Sequence, residues 1–154
     1  IKNNVNEFPS NDFIILLPGS SPKHKHKRWP AENFAEIAII LKEKNIDTVI
    51  LGQSSSEGEE IKKIKSLSPA TIDYSNKDLS FLATMASKAI GAIANDTGPT
   101  FIVAAVGCPV TWLLSSHTNP KITQLVGSKV NTLKKEDIRE ISVEEVKNNL
   151  ALRH

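Results

Sequence analysis

Residues 89–106 read AIGAIANDTGPTFIVAAV, an apolar run, a polar hexapeptide and a second apolar run. The first run, Ala89 to Ala94, is short and small enough for a buried strand. Gly107 and Pro109 follow the second run and are the expected punctuation at a helix C-terminus. The hexapeptide therefore lies where a strand turns into a helix. Unpaired backbone N–H groups and the positive end of the helix dipole face outward there.

The hexapeptide has the residue types of an anion site at a helix N-terminus. Asp96 or Thr97 can cap the helix, and Gly98 lets a ligand approach the backbone. Pro99 suits the first helical turn because it has no N–H to satisfy. A phosphate or pyrophosphate fits such a corner, but so does an ordinary capped helix without a ligand. The hexapeptide alone leaves both interpretations open.

Short apolar runs and amphipathic segments alternate along the rest of the chain. The predicted strands are Phe13 to Leu17, Thr48 to Leu51, Ala70 to Asp73, Ala89 to Ala94 and Val110 to Leu114. The predicted helices are Ala31 to Lys44, Glu57 to Ser66, one capped by Asp78, one after Asn95, and a last one opened by the capping box Ser142-Val143-Glu144-Glu145. The tail before Ser142 is less regular. This alternation predicts a Rossmann-like α/β domain of three layers, in which helices cover both faces of a parallel sheet.

In such a sheet, the loops that follow the strands lie at one rim, and ligands bind there. These loops are rich in Ser, Thr, Asn, Gly and charged residues. They comprise Pro18 to Arg28, Gly52 to Ser56, Tyr74 to Lys77, Asn95 to Gly98 and Ser115 to Pro120. The sequence therefore predicts that the functional site lies at this rim.

The longest stretch at the rim, Pro18 to Pro30, reads PGSSPKHKHKRWP, and we call it the basic loop. Its Lys and Arg side chains can neutralise a diphosphate, and the hydroxyls of Ser20 and Ser21 can donate to the same oxygens. Taken by itself, the charge run favours a solvated loop or a nonspecific polyanion patch. His24 and His26 have no cysteine or carboxylate at ligand spacing, so we expect no metal site.

Glu57 follows the second predicted strand and its loop. A carboxylate there is well placed for ribose hydroxyls in a nucleotide-binding sheet, and it equally suits the N-terminus of its own helix. Several common signatures are missing. The sequence contains no G-x-G-x-x-G dinucleotide fingerprint, no P-loop and no G-x-S-x-G nucleophile elbow.

Composition places the 154 residues among globular proteins, since 40% are hydrophobic and 23% are charged. No apolar run approaches the roughly 20 residues that cross a bilayer. The formal net charge of +2 is too small to argue for a nucleic-acid partner. Cys108, the single cysteine, excludes an internal disulfide and suits a reducing cytoplasm. We expect Cys108 to be a small packed residue and not a nucleophile.

Taken in order, several of these motifs resemble the C-terminal half of a bacterial ADP-heptose:lipopolysaccharide heptosyltransferase, of glycosyltransferase family 9 and the GT-B fold. The motifs are Pro18-Gly19-Ser20, Lys27-Arg28-Trp29-Pro30, Leu51-Gly52, Asn95-Asp96-Thr97-Gly98-Pro99 and Gly107-Cys108-Pro109-Val110. The resemblance runs from about Phe13 to Pro120. It implies a Rossmann-like domain, residues 13–154, that binds a nucleotide-sugar donor. Residues 1–12 would be a linker from a missing N-terminal domain.

The resemblance also implies an activity, the transfer of heptose from ADP-heptose to the lipopolysaccharide inner core by inverting displacement. The N-terminal domain would hold the lipid-linked acceptor, and the 154 residues alone would bind donor without transferring sugar. The implied enzyme uses no metal and no cofactor besides its donor substrate. It would be cytoplasmic, with peripheral contact at the inner membrane.

Site residues carry over from the family position by position. Lys27, near the donor's phosphate and sugar, and Asp96, near the heptose, are the implied catalytic residues. The implied donor contacts are Ser20, Ser21, Arg28, Glu57, Thr97 and Gly98. Phe101 departs from the pattern, because the family usually has histidine there. This departure supports an alternative, a non-catalytic module of the same fold that binds a nucleotide or phosphorylated ligand. A third alternative is a basic loop that merely contacts anionic phospholipid.

Overall fold

The computed structural model describes residues 8–19, 28–116 and 129–153, without the side chains of residues 54–57. The strands are β1 (Phe13–Leu17), β2 (Asp47–Ile50), β3 (Ile72–Asp73), β4 (Gly91–Ala94), β5 (Val110–Leu114) and β6 (Val130–Lys134). The helices are α1 (Ala31–Glu43), α2 (Ser54–Leu67), α3 (Leu79–Lys88), α4 (Gly98–Ala105) and α5 (Val143–Asn148), with a 3₁₀ turn at Ile138–Glu140. None of these helices combines the length and the apolar character that crossing a membrane requires.

The six strands form one sheet in the order β3-β2-β1-β4-β5-β6, and every neighbouring pair is parallel. The chain builds the sheet outward from β1 in one direction and then returns to β1 and builds outward in the other. This reversal places a switch point between β1 and β4, where parallel sheets open a crevice for ligands. Leu17 pairs with Ala94 there, so the loops after β1 and β4 begin side by side.

Two apolar layers cover the two faces of the sheet. One joins the sheet to α1, α2 and α5, and the other joins it to α3 and α4. Ile14 and Leu16 of β1 contribute to the first layer, while Ile15 and Leu17 contribute to the second. A central strand buried on both faces needs an uninterrupted apolar run, which is why β1 reads FIILL. The predicted three-layer Rossmann-like fold is confirmed.

The predicted elements agree with the structure except at particular boundaries and in the tail. β1 and β5 have the predicted limits, whereas α2 begins at Ser54, three residues before the predicted start at Glu57. Residues 54–56, assigned to a rim loop from the sequence, therefore belong to the first turn of α2. The less regular tail contains β6, which the sequence analysis missed. β6 is an edge strand of half-buried and exposed residues, so it shows no apolar run.

The C-terminal segment packs against the starts of β4 and β5, at the end of the sheet opposite the rim. The backbone N–H of Arg153 donates to the carbonyl of Ile90 at 2.7 Å, and that of Ala151 donates to Thr111 Oγ1 at 2.9 Å. A Cβ on Gly91 would lie 2.6 Å from the carbonyl oxygen of Ala151. β4 therefore begins with glycine because another backbone passes directly over it.

Candidate functional site

The rim at the switch point is built around Asn95, the first residue after β4, whose side chain is fully buried. Asn95 Nδ2 donates to the carbonyl oxygen of Pro18 at 2.9 Å. Asn95 Oδ1 accepts a hydrogen bond from the backbone N–H of Trp29 at 3.1 Å. Pro18 follows β1 and Trp29 precedes α1, so the two ends of the basic loop meet at one amide group.

The N-terminus of α4 stands next to Asn95. Of the two capping candidates, Asp96 and Thr97, Thr97 takes the N-cap position, but its side chain makes no capping hydrogen bond. The turn is closed instead by Thr100, whose backbone N–H donates to the Thr97 carbonyl at 3.1 Å and whose Oγ1 donates to the Asn95 carbonyl at 2.8 Å. Gly98 is exposed, and a Cβ placed on it would meet nothing within 4 Å. Open backbone at a helix N-terminus is the arrangement that an anion site requires.

Asp96 and Thr97, both half-buried, and exposed Gly98 lie together in this turn, as the sequence predicts. Arg28, a predicted donor contact, forms an ion pair with Glu60 of α2. Its side chain is only 4% exposed, and its Nη1 donates to Glu60 Oε1 at 3.0 Å. The guanidinium therefore joins the end of the basic loop to α2.

Four predicted donor contacts have side chains outside the described part of the chain. Ser20, Ser21 and Lys27 belong to residues 20–27, and the backbone of Glu57 belongs to the first turn of α2. Their assignment to the site stays a prediction from the sequence.

Trp29 anchors the return end of the basic loop. Its indole Nε1 donates to the carbonyl of Ile141 at 2.8 Å, and its ring meets Phe34 edge-on at 5.0 Å. A fully buried Trp with its N–H satisfied is a rigid anchor. The end of the basic loop is therefore fixed to three separate parts of the fold, which hold Glu60, Asn95 and Ile141.

Phe101, at the position where the family pattern usually has histidine, lies in α4 and packs onto the apolar layer below it. Its ring meets that of Trp112 edge-on at 6.3 Å. Trp112 Nε1 is buried, and among the described residues it is the one buried side-chain nitrogen or oxygen without a hydrogen-bond partner. The Phe101 side chain therefore packs α4 against β5.

Cys108 has no role at the rim. It is fully buried, and burial raises the pKa of its thiol to about 11, although the charge of Arg153 opposes that change. A thiol with this pKa is almost wholly protonated at neutral pH and is a poor nucleophile. The expectation of a packed residue is confirmed. Across the described ranges, no cluster of three or more His, Cys, Asp or Glu side chains is placed to hold a metal ion.

Sequence reasoning missed the bridging role of Asn95 and the pairing of Arg28 with Glu60. The partners of Asn95 are 66 and 77 residues away along the chain, and Glu60 is 32 residues from Arg28. No local pattern marks such pairs. The one available signal is an asparagine directly after a buried strand, where the polar amide needs partners once it is covered.

Residues 2–151 match the family model of glycosyltransferase family 9 (heptosyltransferase). The chain belongs to this family. The comparison with curated protein sequences finds no match.

Solved structures of three other proteins share the fold. E. coli ADP-heptose lps heptosyltransferase II is 19% identical over 94% of this chain and 47% of its own, with a TM-score of 0.82. The family 9 protein of Veillonella parvula is 23% identical over 91% of this chain and 45% of its own, with a TM-score of 0.82. E. coli heptosyltransferase WaaC with ADP is 18% identical over 94% of this chain and 45% of its own, with a TM-score of 0.81. This chain spans slightly less than half the length of each.

Proposed function

We propose that these residues form the donor-binding domain of a heptosyltransferase-like glycosyltransferase, which takes ADP-heptose or a related nucleotide sugar. The observation that carries the proposal is the crevice between β1 and β4. There, the buried side-chain amide of Asn95 forms hydrogen bonds with both ends of the basic loop, next to the exposed backbone at the N-terminus of α4. Basic side chains and helix N–H groups would face one anion from two sides. Two solved structures of E. coli heptosyltransferase WaaC, which have a similar fold, are described as containing ADP and ADP-2-deoxy-2-fluoro heptose.

In this proposal, the donor's diphosphate lies at the first turn of α4. Thr97 and Gly98 supply backbone N–H groups, and the hydroxyls of Ser20 and Ser21 donate to the phosphate oxygens. Glu57 would accept from the ribose hydroxyls, and Arg28 would contact the donor from the return end of the basic loop. The site needs no metal or further cofactor, because Lys and helix N–H groups already neutralise the diphosphate.

The proposed reaction is an inverting displacement at the anomeric carbon of the heptose. An acceptor hydroxyl forms the new C–O bond while the bond from the sugar to the diphosphate breaks, and ADP leaves with that electron pair. Lys27 stabilises the charge that develops on the leaving diphosphate, and Asp96 binds near the sugar. The carboxylate that takes the hydroxyl proton and the site for a lipid-linked lipopolysaccharide acceptor would belong to an N-terminal domain joined through residues 1–12. We propose that the whole enzyme acts in the cytoplasm, in peripheral contact with the inner membrane.

A second candidate is a non-catalytic module of the same fold that binds a nucleotide or phosphorylated ligand. Phe101 favours it, since its ring packs against Trp112 and cannot donate a hydrogen bond or carry charge. Binding selectivity separates the two candidates, because a donor domain should prefer ADP and gain affinity from the heptose.

The test is calorimetric titration of the chain with ADP, UDP, GDP and ADP-heptose. We expect ADP to bind selectively and ADP-heptose to bind more tightly. Lys27→Ala should weaken ADP binding by about 1–3 kcal/mol, the range of a charge-assisted hydrogen bond. Lys44→Ala is the matched control, because Lys44 is an exposed lysine at the far end of α1.

Equal, weak binding of all four ligands would contradict the donor site and reduce the basic loop to a general anion patch. Equal losses in the Lys27 and Lys44 variants would have the same meaning, since a diffuse charge does not depend on position.

A further inference from the structure

We propose that Asn95 is a positioning residue, which holds both ends of the basic loop in place for a diphosphate without contacting it. The inference rests on the proposed function, because it concerns the same site. Asn95 joins β1, α1 and the first turn of α4 at the switch point. The residues next to Asn95 in the sequence do not indicate this role.

The geometry is a double anchor at one side chain. The chain leaves β1 at Pro18, whose carbonyl accepts from Asn95 Nδ2 at 2.9 Å. It returns at Trp29, whose N–H donates to Asn95 Oδ1 at 3.1 Å. The backbone of Asn95 is itself fixed, because its N–H donates to the carbonyl of Leu17 at 3.2 Å and its carbonyl accepts from Thr100 Oγ1 at 2.8 Å. All of these hydrogen bonds involve one fully buried residue.

Only a primary amide satisfies both anchors. The Pro18 carbonyl needs a donor and the Trp29 N–H needs an acceptor, and asparagine offers both from one planar group. Aspartate has the same shape but presents oxygen to the Pro18 carbonyl, and leucine leaves both partners unpaired. Because the site is buried, water does not replace the missing hydrogen bond, so the end of the loop has to move.

The return end of the basic loop is also fixed independently of Asn95. Arg28 donates to Glu60 at 3.0 Å, and the indole of Trp29 donates to Ile141 at 2.8 Å. Lys27 directly precedes these two anchored residues in the chain. The Arg28 side chain therefore joins the return end of the basic loop to α2. The other end of the loop, at Pro18, depends on Asn95.

Loop ends that are held in place before binding give higher affinity, because the ligand does not have to bring them together. Weakening the Pro18 anchor should therefore reduce affinity for the diphosphate. Affinity for the nucleoside should stay unchanged, because Glu57, the proposed ribose contact, lies outside the basic loop. A general loss of folded structure would not separate the two ligands in this way.

The experiment compares Asn95→Asp with Thr111→Val, in titrations with inorganic pyrophosphate and with adenosine below the unfolding transition. Asn95→Asp removes the donor to Pro18 and keeps the acceptor for Trp29. Thr111→Val also removes a buried hydrogen bond, the one from the N–H of Ala151, but it leaves both loop anchors and the first turn of α4 intact. We expect Asn95→Asp to raise the pyrophosphate dissociation constant about tenfold or more, the scale of one lost hydrogen bond to a charged ligand. Adenosine binding should stay the same in both variants.

The titrations can contradict the positioning role alone or the proposed function as well. Pyrophosphate binding that is unchanged in folded Asn95→Asp, or equally weakened in Thr111→Val, overturns the positioning role and leaves the proposed function standing. A wild-type chain that binds neither pyrophosphate nor ADP overturns the proposed function and this inference with it. If Asn95→Asp does not fold, Asn95→Ser replaces it, since the shorter hydroxyl does not span both anchors.

Discussion

The role of Phe101 depends on the side chain that it packs against, Trp112. Where the resemblance leads us to expect a histidine, Phe101 cannot carry charge, and its ring packs edge-on against Trp112. In the proposed donor site, the positive charge for a diphosphate would therefore come from the basic loop and from the first turn of α4. This increases the expected importance of Lys27 and of the residues that hold the loop in position.

Cys108 gives a prediction at the same scale. Burial raises its thiol pKa to about 11, and the side chain has no exposed surface. A thiol-specific reagent such as a nitrobenzoate disulfide should therefore fail to label the native chain at pH 8 and should label it fully in denaturant. Rapid labelling of the native chain would show that the α4–β5 connection opens readily and would contradict the packed role.

At the scale of elements, helix boundaries follow local chemistry. α5 begins at a complete capping box, in which Ser142 Oγ accepts from the N–H of Glu145 at 3.0 Å and Glu145 Oε1 accepts from the N–H of Ser142 at 3.1 Å. The sequence predicts this box because all its partners lie within one turn. α4 differs, since its N-cap residue Thr97 makes no side-chain capping bond. The first turn of α4 therefore keeps backbone N–H groups that its N-cap side chain does not satisfy.

Ser142→Ala should destabilise the chain by about 1 kcal/mol, because it leaves helix N–H groups of α5 without their acceptor. Urea denaturation measures the change. Ser80→Ala is the control, since Ser80 is exposed inside α3 and its substitution should change stability by less than about 0.5 kcal/mol. Equal stabilities of the two variants would mean that the capping box contributes nothing to the folded state.

At the scale of the whole molecule, stability should fall at acid pH. Hydrogen bonding to Arg139 lowers the pKa of Asp137 from 3.8 to about 2, and the backbone hydrogen bond at Ser142 lowers the pKa of Glu145 below its ordinary 4.5. Folded-state pKa values that are depressed stabilise the native state above the unfolded pKa. This contribution is fully present above about pH 4.5 and is lost as the pH falls towards 2.

Urea midpoints measured from pH 6 to pH 2 test this expectation. Asp137→Asn should show a shallower decline between pH 4 and pH 2, because one titrating group has been removed. Salt should reduce the difference between variant and wild type, since both Asp137 and Arg139 are exposed at the surface. A variant with the same slope as the wild type would exclude Asp137 from the acid response.

The sequence by itself determined the layers of this fold and the strand-to-helix corner after β4. The run FIILL, the periodic helices and the strand-to-helix corner at Asn95–Gly98 are local patterns, and local patterns record burial directly. The missed strand β6 lies at an edge, where one partner and partial exposure leave no pattern. Tertiary structure decided which residues shape the site. Asn95, Glu60 and Trp112 acquire their roles from partners far away in sequence, and hydrogen bonds and ring packing between distant segments exist only once the chain has folded.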